Sequence, residues 1–521
     1  LPRWLSIALL AIPWLLPAAA LAEDTAMQIY RQHCADCHGV DRLGGLGPAL
    51  LPENLRRLRN KAAQKVIAEG RPATQMPGFA DSLSKTDVAA LVKLIYTPLP
   101  DVPRWGADEI AGSREVDPTA LDLPDKPVFE SDPLNLFVVV ESGDHHVTIL
   151  DGDRFEPIHR FPSRFALHGG PKFSPDGRFV YFGSRDGWVS KFDIYNLRLV
   201  AEVRAGINLR NIAISKDGRW IAAANYLPHT LVILDAYDLK PVRVMPVRDV
   251  RNEHSSRVSA VYQAPMRNSF IAALKDVPEI WEIATDPDTP PVYTGLVHSY
   301  EKGMVEGLPT GEGLFALRRI MLDEPLDDFF FDPDYRNLMG SSRDGAHGVV
   351  VNLNVGRPIR GIELPGLPHL GSGITWTWQG RSVMATPHLK GNRVSIIDMT
   401  DWTVIKTLET LGPGFFMRSH ENTPYAWVDV FFGKNRDVMH VIDKRTLEIV
   451  RTLRPVPGKT VAHVEFTRDG GHALVSVWDM DGALIVYDAE TFKEVKRLPM
   501  VKPSGKYNVF NKITFSAGTS H

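Results

Sequence analysis

At 521 residues the chain is too long for one compact domain and suits two. Its net charge of −3, with 23% charged and 44% hydrophobic residues, is that of an ordinary globular protein with a large core. No basic excess draws it toward phosphate backbones, which excludes nucleic acid as an expected partner, and its 2 cysteines share one motif, which excludes a disulfide framework.

Residues 1–22 combine an early Arg3, an apolar run and the ending Ala20-Leu21-Ala22. A basic head, an apolar middle and a small-residue end predict a secretory signal peptide, with cleavage after Ala22. The rival is a membrane anchor, but Pro13 and Pro17 interrupt the run. The expectation is an exported, periplasmic protein with no membrane span after cleavage.

Cys34-Ala35-Asp36-Cys37-His38 is C-x-x-C-H, the attachment pattern for c-type heme. Two thiols at that spacing can each add to a heme vinyl group while the adjacent imidazole meets the iron. A C-x-x-C redox pair needs no His and follows a βαβ pattern that is missing here. A zinc site needs two further ligands, and no second cysteine pair exists. Downstream, Met76-Pro77-Gly78-Phe79 puts an apolar thioether in a polar, turn-rich stretch, as expected of a sixth ligand. A core Met is the alternative reading. Helices are expected over 24–33, 60–69 and Thr86–Thr97, where apolar residues recur at helical spacing. Residues 23–97 thus form a cytochrome c domain with heme on Cys34 and Cys37 and iron between His38 and Met76. Tyr30 and Gly47-Pro48-Ala49-Leu50 resemble heme-packing elements of class I cytochromes c.

Residues 98–133, rich in Pro and Asp, read as a linker. Beyond it a unit repeats: a turn such as Ser174-Pro175-Asp176-Gly177, a strand, a loop, and a second strand ending in an acidic or amide residue. The end residues are Asp151, Asp193, Asp235, Glu282, Asn352, Asp398, Asp443 and Asp488, at steps of 42, 42, 47, 70, 46, 45 and 45 residues. A period in the forties with alternating apolar strands predicts propeller blades, and eight markers predict eight blades over 134–521. The long step predicts a surface excursion over roughly 286–318. The expected fold is an all-α class I cytochrome c domain followed by an all-β eight-bladed propeller.

The closing stretch Lys502–Asn511 (KPSGKYNVFN) resembles the final blade of cytochrome cd1 nitrite reductases. Further likeness lies in Phe165–Val189, Pro368–Gly373, Ala385–His388 and Gly412–His420, so that the resemblance covers most of residues 24–515. It implies heme d1 held non-covalently at the propeller centre. It places His168 at the proximal iron ligand, and Arg185, Arg210 and Arg257 at arginines that face the pigment's carboxylates. Forked guanidiniums suit that task.

The resemblance also has a gap. Two histidines that protonate nitrite in that family belong just after Arg257–Ala260 and near Met321–Pro325, and neither stretch contains one. The pattern resembles instead a paralogous branch, the dihydro-heme d1 dehydrogenases. That likeness implies oxidation of a propionate of dihydro-heme d1 to an acrylate, the last step of heme d1 biosynthesis, with electrons passed to heme c. The alternatives are a nitrite reductase or a non-catalytic heme d1 carrier. The reaction needs a base, and imidazole has the right proton affinity. His369 and His463 are the first candidates, with Tyr507 positioning the side chain and His388 and His420 in reserve. The expected partners are dihydro-heme d1, an external electron acceptor, and a cytochrome cd1 nitrite reductase as recipient of the product.

Overall fold

The computed structural model describes residues 18–56, 58–71, 76–293, 309–342 and 346–519. Of the leader expected over 1–22, positions 1–17 lie outside these residues, and a helix Ala18–His33 runs through the expected cleavage point. Among the described residues no helix is long and apolar enough to cross a membrane. The chain divides into two compact units, Leu1–Asp101 and Val102–His521.

The first unit is helical. Helices Ala18–His33, Asn60–Glu69 and Lys85–Ile95 surround Tyr30, Ala63, Leu91 and Val92, all buried. The last of these helices starts on a capping box: Asp87 N–H donates to Ser84 Oγ at 3.2 Å, and Ser84 N–H to Asp87 Oδ2 at 3.0 Å. Cys34 follows the first helix, and Ala35–His38 adds one further turn that carries Cys37 and His38.

The second unit is a ring of eight antiparallel sheets, seven of four strands and one of five. All eight predicted end residues fall in the third strand from the hub of successive blades. The innermost strand of the first blade is Pro503–Asn508, the last strand of the chain. It pairs antiparallel with Leu136–Glu141, setting Val138 against Tyr507. Closure by the C-terminal strand removes an open sheet edge. The inner strands of the following blades are Lys172–Phe173, Asn208–Ile214, Val258–Ala264, Leu326–Phe331, Ile374–Trp378, Met417–Ser419 and Val461–Phe466. Apolar side chains of the first and second strands form the core of the blades, where Phe137, Phe270, Phe329, Trp427 and Phe466 are fully buried.

Two boundaries differ from the sequence expectation. The stretch 98–133 is not a free linker: from Val102 it belongs to the propeller unit. Glu115–Val116 adds a fifth strand to the second blade by pairing with Arg198–Arg204. Ile110 and Ala120 are buried in that blade's core, and Trp105 Nε1–H donates to the Arg204 carbonyl at 2.7 Å. The Pro- and Asp-rich composition concealed these few apolar anchors. In the fourth blade the fourth strand begins at Leu317, inside the expected excursion, and a separate hairpin pairs Val292–Tyr293 with Pro309–Gly311. Residues 294–308 lie outside the described residues.

Candidate functional site

In the first unit His38 is buried, and its Nδ1 donates to the Pro48 carbonyl at 2.7 Å. That bond fixes the tautomer with its lone pair on Nε2, the form an iron ligand needs. A side chain on Gly47 would put its Cβ 2.7 Å from the same ring, so the loop approaches the imidazole only as glycine. Of the two cysteines, Cys37 is exposed and Cys34 partly so. The Met76 loop is tied to the helix Asn60–Glu69 by Arg71 N–H to the Met76 carbonyl at 3.1 Å and Phe79 N–H to the Ile67 carbonyl at 3.0 Å. The two thiols and the lone-pair imidazole fit covalent heme c.

In the propeller the site is built from the hub ends of the inner strands. His168 precedes the inner strand of the second blade. Its Nδ1 donates to the Arg210 carbonyl at 2.7 Å, and Arg185 Nη2 donates to its Nε2 at 2.8 Å. Nε2 is therefore the basic nitrogen, as in His38. Gly170 (φ +70°) lets the loop turn, and a Cβ there would lie 3.2 Å from Tyr507 Cε1.

Five inner strands break their ladders, and polar residues are among those left out of register. Three of the shifts fall between Val258 and Ala260, between Leu326 and Phe329, and between Ala462 and Val464. The groups released are Ser259, Asp327 with Asp328, and His463. The Ser259 carbonyl accepts Arg210 Nε–H at 2.8 Å. Asp328 accepts Tyr262 O–H at 2.9 Å and Gly371 N–H at 3.2 Å, and it stands 4.0 Å from Arg210 Nη2. His463 holds φ +53°, a costly left-handed conformation for a residue with a Cβ. Its N–H leaves the ladder and donates to Asp429 Oδ2 at 3.1 Å, while Phe415 and Phe416 N–H donate to Asp429 Oδ1 at 2.7 and 3.0 Å.

These contacts close a loop around the hub. From His168 one arm runs through Arg210 and Asp328 to the Gly371 backbone, two residues past His369. His369 Nδ1 donates to the Phe415 carbonyl at 2.6 Å, and its ring lies 4.3 Å from that of Phe415. Phe416 packs edge-on to His463 at 4.9 Å, and His463 lies 5.1 Å from Tyr507, which touches the Gly170 position. The structure thus brings together His168, Arg210, His369, His463 and Tyr507.

The electrostatics assign protonation states. His463 is fully buried, and neither ring nitrogen has a hydrogen-bond partner among the described residues. Burial, reinforced by Lys506 and Arg418, holds its pKa well below the usual histidine value, so the ring is neutral. Burial lowers His369 as well, against the opposing charge of Asp328. Burial pushes the Tyr507 phenol up to about 12, which keeps its proton in place.

Other predicted residues stand differently. Arg257 closes its fork on Asp276, with Nε to Oδ2 at 2.8 Å and Nη2 to Oδ1 at 2.5 Å. Its guanidinium lies 5.6 Å from the Tyr226 ring, beside which Arg185 and Lys275 stand at 5.9 and 5.7 Å, so that three cations surround one phenol. His388 is buried with both nitrogens in use, on the Pro365 carbonyl at 3.0 Å and Ser395 Oγ at 2.9 Å, which is a structural role. His420 accepts Asn422 N–H at 3.1 Å and packs near Phe466. Sequence reasoning passed over Asp328 and Asp429. Their signals were an Asp pair opening an apolar strand (Asp327-Asp328) and a single Asp set between Trp427-Val428 and Val430-Phe431.

An imidazole whose basic Nε2 accepts from a guanidinium, a glycine approach and a buried second imidazole with no hydrogen-bond partner on either nitrogen among the described residues suit a flat iron-bearing ligand with carboxylates. Comparison with known proteins agrees. The family profile described as cytochrome D1 heme domain matches residues 131–296 and 310–512, and that described as cytochrome C oxidase, cbb3-type, subunit III matches residues 22–95. The dihydro-heme d1 dehydrogenase of Pseudomonas aeruginosa is 56% identical, over 98% of this chain and 99% of its own. The nitrite reductase of Stutzerimonas stutzeri is 24% identical, over 94% and 93%. A solved structure of the dihydro-heme d1 dehydrogenase NirN in complex with DHE superposes with a TM-score of 0.86 at 56% identity, covering 94% of this chain and 99% of that one. With its heme c-type domain and its propeller matched along almost their whole length, the chain belongs to the cytochrome D1 heme-domain family, on the dihydro-heme d1 dehydrogenase branch.

Proposed function

We propose that this protein oxidises dihydro-heme d1 to heme d1 in the periplasm, converting one propionate to an acrylate. Two electrons and two protons leave the saturated CH2–CH2 unit and a C=C bond forms. The observation that carries the reading is the closed hub with His463 inside it: a neutral, fully buried imidazole whose two nitrogens have no partner among the described residues.

The geometry supports the following roles. His168, its tautomer held by the Arg210 carbonyl, would give Nε2 to the substrate's iron as Arg185, which donates to that nitrogen at 2.8 Å, turns to a carboxylate. Arg185 and Arg210 meet the substrate's carboxylates. His463 takes the proton from the propionate chain, a task for which a neutral imidazole is suited. Tyr507, still a phenol at neutral pH, donates its O–H to the side chain's carboxylate and fixes the carbon that reacts. His369, whose basic nitrogen is Nε2, stands on the facing arm and serves as the alternative base or as an iron partner. Phe415 and Phe416 keep water from these imidazoles. Cys34, Cys37, His38 and Met76 would hold heme c, which would supply an outlet for the electrons toward an external acceptor. A cytochrome cd1 nitrite reductase is the recipient of the product.

The test uses the purified full-length protein with its heme c, loaded anaerobically with dihydro-heme d1 and then oxidised. The visible spectrum of the bound tetrapyrrole should become that of heme d1. Uptake without conversion makes the protein a carrier, and failure to take up the tetrapyrrole removes the reading altogether. With His369→Ala, conversion at an unchanged rate rules out His369 as the base.

A further inference from the structure

Neither ring nitrogen of His463 has a hydrogen-bond partner among the described residues, so packing and its own backbone are what aim the imidazole. That backbone is the odd residue of a broken ladder: Ala462 pairs with Ser476 and Val464 with Val475, and nothing stands opposite His463. A buried peptide unit outside the ladder needs other partners for its N–H and its C=O. Asp429, in the seventh blade, takes the N–H. The C=O is taken from the first blade, whose closing strand Pro503–Asn508 carries Lys506. Lys506 Nζ donates to the His463 carbonyl at 2.5 Å, to Ser476 Oγ at 2.8 Å and to the Ala462 carbonyl at 3.5 Å. Three acceptors match the three protons of an ammonium group, which has no lone pair to offer them. The side chain is fully buried, where a cation is costly to keep. Burial pulls Lys506 well below the usual lysine value, against the opposing charges of Glu465 and Asp429.

We infer that Lys506 is a positioning residue: with Asp429 it clamps the His463 peptide unit from both sides and so aims the imidazole at the reacting side chain. The inference rests on the dehydrogenase reading with His463 as base. Three blades thus meet on one peptide unit, and the clamp exists only in the closed ring, because the strand that completes the first blade supplies it. Two successive residues of that strand serve the same histidine. Tyr507 faces the ring at 5.1 Å, and Lys506 holds the carbonyl. An apolar side chain of equal length would fill the space without burying a charge, but it could not hold the carbonyl of a residue at φ +53°. The ionisable groups around this lysine and histidine are Arg418, Lys512, Glu465, Asp429 and the Tyr507 phenol. After burial, it is Lys506, Arg418 and Lys512 that keep His463 neutral.

Lys506→Met keeps the length of the side chain and removes its donors. The full-length heme c protein and the variant are loaded anaerobically with dihydro-heme d1, and single-turnover conversion is followed by absorbance across a pH series. Uptake should stay within a few-fold of the parent, while conversion at neutral pH slows by about 10–10²-fold. The acid limb of the rate profile should also move to higher pH. Its sign follows from the charge removed: without that cation both His463 and Asp429 take up a proton more readily, so the neutral imidazole is lost sooner as pH falls. Conversion at the parent rate overturns the inference, as does a loss matched by an equal loss of uptake, or an acid limb that stays in place. Should Lys506→Met not fold, Lys506→Met/Glu465→Gln removes one cation and one anion together and decides by the same measurements. The glutamine there retains an acceptor for Phe466 N–H and Asn511 Nδ2. A parent protein that converts nothing, or a His463→Gln variant as fast as the parent, overturns the underlying reading as well. A fast Lys506→Met beside a slow His463→Gln overturns this inference alone.

Discussion

Asp429 accepts the backbone N–H of His463 at 3.1 Å, across the boundary between the seventh and eighth blades. The same carboxylate gathers the N–H groups of Phe415 and Phe416, so one buried side chain fixes the phenylalanine wall and the imidazole together. Asp429→Asn keeps the shape but turns one acceptor oxygen into a donor. The expected outcome is a folded protein, destabilised by about 1–3 kcal/mol in urea titration, whose conversion of dihydro-heme d1 falls more than its uptake. Unchanged turnover would show that His463 needs no such support.

Replacement of the proposed base separates chemistry from binding. His463→Gln should still take up dihydro-heme d1 and lose about 10²–10⁴-fold in single-turnover conversion, followed by absorbance. Tyr507→Phe removes only an O–H and should cost less, with the loss in the conversion rate. Loss of uptake in either variant would instead make that residue a binding group.

Gly170→Ala tests the approach to the hub. At φ +70° an alanine is strained by about 1 kcal/mol, and its Cβ would stand 3.2 Å from Tyr507. A small drop in thermal stability is expected, accompanied by a larger loss of tetrapyrrole uptake than the stability change explains. Uptake equal to that of the parent protein would remove the glycine from the site.

Acid stability should depend on two structural histidines. Burial holds both His388 and His440 near a pKa of about 4, against 6.5 unfolded. Between these values the unfolded chain binds the protons and the folded chain does not, so unfolding free energy rises with pH across that window. Each residue's contribution is complete above pH 6.5 and falls away toward pH 4, by up to about 3 kcal/mol. In urea titrations at a series of pH values, His388→Gln/His440→Gln should show a shallower slope there; an unaltered slope refutes the assignment.

The sixth-ligand proposal has a redox readout. Met76→Ala should lower the heme c reduction potential and abolish the visible charge-transfer band of methionine-ligated iron, since the thioether favours the reduced state. A potential equal to that of the parent protein would exclude Met76 as a ligand.

Features encoded by local spacing were legible in one dimension. Cys34, Cys37 and His38 lie within one helical turn, so their chemistry could be read without knowing the fold. The eight end residues repeat because each blade folds by the same local rule, a tight turn followed by alternating apolar strands, and a period survives in one dimension. Only the tertiary structure could decide which side chains meet at the hub. His168, His463 and Tyr507 come from three blades, and the groups that arm them, Asp328 and Asp429, act through ladder breaks and backbone N–H groups that leave no spacing signal. The same holds for Trp105, Ile110 and Ala120, which turn a Pro-rich stretch from an expected linker into part of a blade. Contacts between distant strands depend on register and closure, and one residue of slip would move each of these groups to the opposite face.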